Sequence, residues 1–206
     1  KSSIIRELMY HLMMNTKDGI GVLALEESIR NTAFSIMSVE ANARLYIKEI
    51  RKQFTPEQLR EWQKKTIDSK RFYAFDHFGS ISNDEILDRV RHMAKALDCK
   101  WIFLDHLSIL VSGQEDNRGH EDGREVSLSH LRGSASIAHL SDSVIALERN
   151  QQAEDAYEAN TTTIRILKNR YTGDTGVSCY LYYDKDTGRM TQVDNPFMEN
   201  NNEETI

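Results

Sequence analysis

The sequence predicts an α/β protein: a mostly parallel sheet alternating with helices, then a C-terminal antiparallel hairpin part. Short, wholly apolar runs recur at 22–25 and 101–104, and such runs suit strands buried on both faces, as in parallel sheets. Stretches with helical spacing of apolar residues lie between them. Beyond residue 160 the pattern becomes three closely spaced strand candidates, with the turn signal Asp186-Thr187-Gly188 before the last.

The 206 residues suffice for one well-buried domain. Hydrophobic residues make up 39% and charged residues 28%, the balance of an ordinary globular chain. No apolar run nears the roughly 18 residues of a membrane span, and the N-terminus has no secretory leader pattern. Cys99 and Cys179 are too few for a disulfide framework and form no CxxC pair, so a reducing, cytoplasmic compartment is expected. The net charge of −6 argues against a generally basic, nucleic-acid-coating surface. A ring that confines its positive charge to a central channel would still be compatible with it.

Taken in order, residues 2–16 place Ile4, Ile5, Leu8, Met9, Leu12 and Met13 at helical spacing. Gly19 and Gly21 punctuate before the apolar strand 22–25. A long polar-rich helix is expected from Ile29 to about Lys52. Thr55 caps the next helix, with Pro56 in its first position and Gln58 three residues after the cap. Residues 72–75 read as a short strand. Ser82 and Glu85 form a capping box for a helix whose apolar face is Ile86, Leu87, Val90, Met93, Ala94 and Leu97. The run 101–104 is a second buried strand and ends at Asp105. Further strands are expected at 143–147, 163–168, 178–183 and 189–193. Residues 194–206, rich in Asn and Glu, are not expected to fold alone.

The chemistry gathers at strand ends, where parallel α/β sheets bind ligands. Lys1-Ser2, directly before an apolar helix, has the form of the tail of a phosphate-binding loop, in which the lysine reaches the phosphates and the hydroxyl binds Mg²⁺. An accidental first dipeptide is the plain alternative. Four apolar residues ending in Asp105 match a strand that aims a carboxylate at a metal; a strand-terminal Asp capping the next turn would look the same. Glu26 and Glu27 end the strand 22–25. A carboxylate there can take a proton from an attacking water, although Glu27 fits better as an acid opening the next helix. Lys168 and Arg170 sit at the end of an apolar strand and can meet a developing phosphate charge, unless they are simply a solvated strand end. Arg132-Gly133-Ser134 suits DNA phosphate contacts, or a helix N-terminus capped by Ser134.

The ordered set Lys1-Ser2, Leu25-Glu26-Glu27-Ser28, Leu104-Asp105-His106, Leu131-Arg132-Gly133-Ser134, Leu140-Ser141-Asp142, the run 147–152 (Leu-Glu-Arg-Asn-Gln-Gln) and the run 166–176 resembles the DnaB-type hexameric replicative DNA helicases, above all the helicase domain of the primase-helicases of T-odd coliphages. The resemblance spans nearly all of 1–193, and 147–152 with 168–176 are its most specific stretches. It implies a RecA-like P-loop NTPase core and a motor that uses Mg²⁺ with ATP or a dNTP to move on single-stranded DNA, within a bacterium or a phage-infected cell. It implies phosphate and Mg²⁺ contacts for Lys1 and Ser2, a metal-binding acid in Asp105 and water activation by Glu26. Arg170, helped by Lys168, would be an arginine finger on the neighbouring subunit's nucleotide. Arg149 and Tyr183 would sandwich the base, and Arg132 and Gly133 would contact DNA in the channel. A homo-oligomeric ring, a hexamer in the family, is implied, as is docking of the acidic 194–206 tail on a replicative polymerase. A RecA-like DNA-binding ATPase for strand exchange or loading, without unwinding, is the alternative.

The sequence departs from that pattern in two places. The phosphate-loop glycines would precede Lys1. Between Val111 and Val126 only polar residues stand where the family has a helix, a strand ending in a γ-phosphate sensor and a lysine-bearing DNA loop. A crossover between parallel strands needs a dozen or more residues, so a segment is expected to be lacking near 117–119. His120 does not substitute for the sensor, because no apolar strand precedes it.

Overall fold

The structure, a computed structural model, describes residues 2–25, 27–76, 83–105, 127 and 141–197. Two compact units result: Lys1–Gln114 with Lys185–Arg189, and Glu115–Asp184 with Met190–Ile206. Lys1, Glu26, Ser82, His106, His120, Arg132, Gly133, the expected discontinuity at 117–119 and the tail beyond Phe197 lie outside the described residues.

The first unit is built on a parallel three-stranded sheet, β1 (Gly19–Ala24), β2 (Phe72–Ala74) and β3 (Cys99–Asp105), in the order β2-β1-β3. Strand side chains alternate between faces, and β1 shows why a wholly apolar run is needed here. Ile20 and Val22 pack with Met9, Met13 and Ile36 of helices α1 (Ser2–Asn15) and α2 (Ile29–Ala41). Leu23 and Leu25 pack with Ile86 and Met93 of α5 (Asn83–Lys95). Each fully buried aliphatic side chain contributes about 1.5–3 kcal/mol, so β1 anchors two cores at once. Gly21 faces Met93: a Cβ there would lie 2.6 Å from the Met93 sulfur, which explains the small residue inside a strand.

Helix ends follow local chemistry. Arg71 donates to the carbonyls of Met13 and Thr16 (both 2.8 Å), satisfying the C-terminus of α1, which has no basic residue in its last turn. Ser28 caps α2 by accepting from the Asn31 amide. The single helix expected from Ile29 to Lys52 is broken. Asn42 takes a left-handed conformation (φ 50°), and the Ala43 amide donates back to the Ser38 carbonyl. A separate turn, α3 (Lys48–Arg51), follows. Asn is the residue other than glycine that most readily accepts this geometry, so the stop is written in Asn42. Helix α4 (Pro56–Lys65) begins as expected, with Thr55 and Gln58 completing a capping box. The buried stripe of α5 is narrower than expected: Ile86, Val90, Met93 and Leu97 pack, while Leu87 is half exposed and Ala94 exposed. Nor is the run 101–104 buried throughout. Among the described residues β3 pairs only with β1, and Trp101 is 43% exposed, its indole N–H donating to Asp18 at 2.9 Å.

Between α1, α2 and α4 sits a polar cluster. The Tyr10 hydroxyl and the Lys65 ammonium both donate to Glu40. Burial, reinforced by the bond to Glu40, pushes the Tyr10 hydroxyl up to about 12. Burial works to raise Glu40 too, but the hydrogen bonds from Tyr10 and Lys65 outweigh it and hold the carboxyl below its ordinary 4.5. A depressed carboxylate contributes stability that is complete above its unfolded pKa and is lost as pH falls through the folded value. Glu40→Gln is expected to cost about 1–3 kcal/mol near neutral pH. Urea unfolding of both proteins across the acid range checks this: the gap should close below the ordinary carboxylate pKa, and a pH-independent gap would assign the loss to packing.

The second unit is an antiparallel sheet ordered β4 (Ser143–Glu148), β5 (Thr161–Asn169), β6 (Gly176–Tyr183) and β7 (Met190–Val193). A short helix, α6 (Ala156–Asn160), precedes β5 and stacks Tyr157 on Tyr182 with ring centres 5.0 Å apart. Glu148 and Arg165, facing across β4 and β5, form a largely buried ion pair at 2.8 Å. The turn at Asp186-Thr187-Gly188 is present, Gly188 at φ 75° and the Thr187 hydroxyl accepting from the Arg189 amide. Phe197 meets Tyr180 edge-on at 5.7 Å.

Candidate functional site

In the first unit the N-terminus of α1 meets the carboxyl end of the parallel sheet. Ala24 pairs with Asp105, and the Leu25 amide donates to the Asp105 carbonyl at 2.9 Å, so β1 and β3 end at one level. Ser2, the first residue of α1, donates its hydroxyl to the Asp105 carboxylate at 3.1 Å across 103 residues of sequence. The first turn of α1 holds no acidic side chain. Its exposed amides and the positive end of its dipole therefore face this spot without a competing carboxylate of their own. A small cleft opens here, lined by Ser2, Arg6, Glu27, Ser35, Phe103 and Asp105 among others. Sequence reasoning paired Ser2 with Asp105 by resemblance, and the fold brings them together.

Glu27 is better placed than a helix-opening role suggests. The cap of α2 is Ser28, while Glu27 lies one residue outside the helix, lines the cleft and accepts from the Ser35 hydroxyl at 3.2 Å. Two adjacent carboxylates at a strand end were the available signal, but nothing in them says which one turns inward.

In the second unit Arg149 follows β4 and Tyr183 ends β6. The guanidinium carbon lies 5.8 Å from the Tyr183 ring centre, so the two are neighbours. A base between two planes needs about 7 Å, two contacts of roughly 3.5 Å each. As described, the pair is closed on itself. Arg149 is also held from behind, its Nε donating to the Ala159 carbonyl at 2.7 Å and its Nη2 to Asn160 Oδ1 at 2.9 Å. Helix α6 was absent from the sequence reading, although Asp155 with Glu158 three residues on is a capping signal, and Asp155 does accept from the Glu158 amide at 2.7 Å.

Arg170 follows β5. Its backbone amide donates to the Asp142 carbonyl and its guanidinium to the Asp142 carboxylate, both at 2.8 Å, with each side chain about half exposed. The Tyr171 hydroxyl reaches the same carboxylate at 3.5 Å, and Tyr171 itself is 80% exposed. Lys168, two residues earlier, is part of β5 and pairs with Val144. Asp142 is invisible as a partner until the register of β4 and β5 is known. Among the described residues no group of His, Cys, Asp and Glu forms a metal cluster by itself, and no helix is long and apolar enough to cross a membrane.

The fold defines a class. The chain superimposes on a solved helicase ATPase domain with a TM-score of 0.68, covering 94% of this chain and 81% of that one at 18% identity. It also matches a DnaB-like replicative helicase, solved in a study of its interactions with primase, with a TM-score of 0.61, covering 94% and 54% at 18% identity. The architecture is thus the RecA-like one of helicase ATPase domains. No protein-family model matches the chain. Its sequence is 30% identical to the DNA helicase/primase of Enterobacteria phage T3 over 226 aligned positions, which take in 91% of this chain and 39% of that protein. The chain belongs to the DnaB-like replicative helicase family and spans about two fifths of the phage relative it matches. The alignment is longer than the 206-residue chain, so that relative carries residues with no counterpart here.

Proposed function

We propose that the chain is the motor part of a ring-forming replicative DNA helicase. Nucleoside triphosphate hydrolysis at subunit interfaces drives movement along single-stranded DNA and separation of the duplex. The observation that supports this most is the Ser2–Asp105 contact at the junction of an acid-free helix N-terminus with two parallel strand ends. A hydroxyl and a carboxylate are hard oxygen donors of the kind Mg²⁺ takes from a protein, with phosphate oxygens and water completing its shell. When bound there, Mg²⁺ would bridge the β- and γ-phosphates and neutralise developing charge.

The chain's own residues then divide the work. The amides of α1, with Lys1, hold the phosphates. Glu26 accepts the proton of the attacking water. Arg149 and Tyr183 hold the base. Arg170, with Lys168, reaches the nucleotide of an adjacent subunit in a homo-hexamer. Arg132 and Gly133 contact the DNA strand.

The test uses the intact protein. Hydrolysis of ATP or a dNTP should rise at least about tenfold when single-stranded DNA is added, and a forked duplex should be unwound in the same conditions. Stimulated hydrolysis with an untouched fork would instead favour a RecA-like loading or strand-exchange ATPase. Hydrolysis indifferent to single-stranded DNA would remove both readings.

A further inference from the structure

Arg149 is tethered by a helix of five residues. Asn160 ends α6 and is only 4% exposed. Its Nδ2 donates to the Ala156 carbonyl at 2.6 Å, and its Oδ1 accepts from Arg149 Nη2 at 2.9 Å. Both partners are unambiguous, one purely an acceptor and the other purely a donor, so the amide has one orientation. The Ala159 carbonyl takes a second guanidinium proton, from Nε. The Tyr157–Tyr182 stack holds α6 against β6, the strand that carries Tyr183.

We infer that Asn160 is a positioning residue for the nucleotide base. It presets the plane of the Arg149 guanidinium, so that the stacking conformer is already populated before nucleotide arrives. The inference rests on the proposed role of Arg149 as a base contact and adds the group that orients it. An unbranched arginine stem samples many rotamers when untied, and apparent affinity falls by the fraction of molecules in the competent state. Losing the tether should therefore weaken nucleotide binding by about three- to tenfold through the base alone, with no change in how the phosphates are held.

The experiment measures KM and kcat for ATP and dTTP in the intact protein, with inorganic tripolyphosphate as a base-free competitor. Asn160→Leu should raise KM by about three- to tenfold, leave kcat within about twofold and leave inhibition by tripolyphosphate unchanged. Asn160→Asp keeps the acceptor for Arg149 and should hold KM near the parent value. Should the leucine variant not fold, Asn160→Ser, whose hydroxyl stops one bond short of the guanidinium, reads the same loss. Equal KM rises in the Leu and Asp variants, with tripolyphosphate inhibition weakened in step, would overturn the inference in favour of a purely structural Asn160. Arg149→Ala separates the two levels. A raised KM there beside an unaltered Asn160→Leu overturns the positioning role alone, whereas an unaltered KM in Arg149→Ala overturns the base contact and the inference with it.

Discussion

Asp105→Asn in the intact protein should lower nucleoside triphosphate turnover by about a hundred- to a thousandfold while the fold stays intact. Removing one preorganised electrostatic partner from a phosphoryl-transfer site costs rate on this scale. The same substitution removes only one partly exposed hydrogen bond from the native state, the one from Ser2, worth about 1 kcal/mol or less. Activity and stability should therefore separate widely. Ser2→Ala should follow the same pattern with a smaller loss, because the hydroxyl carries no charge. Steady-state hydrolysis and a thermal melt on the same preparations check both. Near-normal turnover in Asp105→Asn would return Asp105 to a turn-capping residue at a strand end.

The second large effect is expected at Arg170. Its pairing with Asp142 is half exposed on both sides, and such pairs contribute about 0–1 kcal/mol. A nucleotide phosphate, with more charge and a bidentate geometry on offer, outcompetes that partner. Arg170→Ala should reduce kcat by about 10³–10⁵-fold, the range of arginine fingers, while Asp142→Asn should leave it within a few fold. Glu26→Gln should also abolish hydrolysis while retaining nucleotide binding. If Arg170 acts across a subunit interface, mixing Arg170→Ala with Glu26→Gln subunits places an intact finger beside an intact Glu26 at some interfaces, and part of the hydrolysis returns. Mixed rings as inactive as either pure ring would remove the intersubunit finger.

What could be read from the sequence divides along physical lines. Signals that depend on neighbours in sequence were legible: the apolar run of β1, the Thr55–Gln58 box of α4 and the Gly188 turn all stand where local chemistry places them. Signals that depend on tertiary partners were not. Trp101 reads as core by composition, yet Asp18 and solvent share it. The break after α2 was legible in principle, since Asn42 is a stop of known geometry, but the polar-rich stretch beyond it keeps helical composition. At the site, family resemblance supplied the residue types. It gave no hint of the Asp142 partner of Arg170, the Ser35 partner of Glu27 or the α6 tether behind Arg149, because each depends on a register or a helix set by this chain's own packing.

The first unit closes late in the life of the chain. Arg189 grips both oxygens of Glu7, at 2.7 and 3.1 Å, and donates a third bond to the Val39 carbonyl at the end of α2, across sequence gaps of 182 and 150 residues. On a ribosome adding about 5–20 residues per second, helices α1 and α2 wait on the order of ten seconds or more for that grip. In the interval Glu7 has no counterion from this source, and the helix that presents Ser2 is secured only by its apolar face and by Arg71. The last strands of the chain thus set when the first helix is finished, and a nascent chain halted before residue 189 would expose an α1 that is packed but not yet pinned.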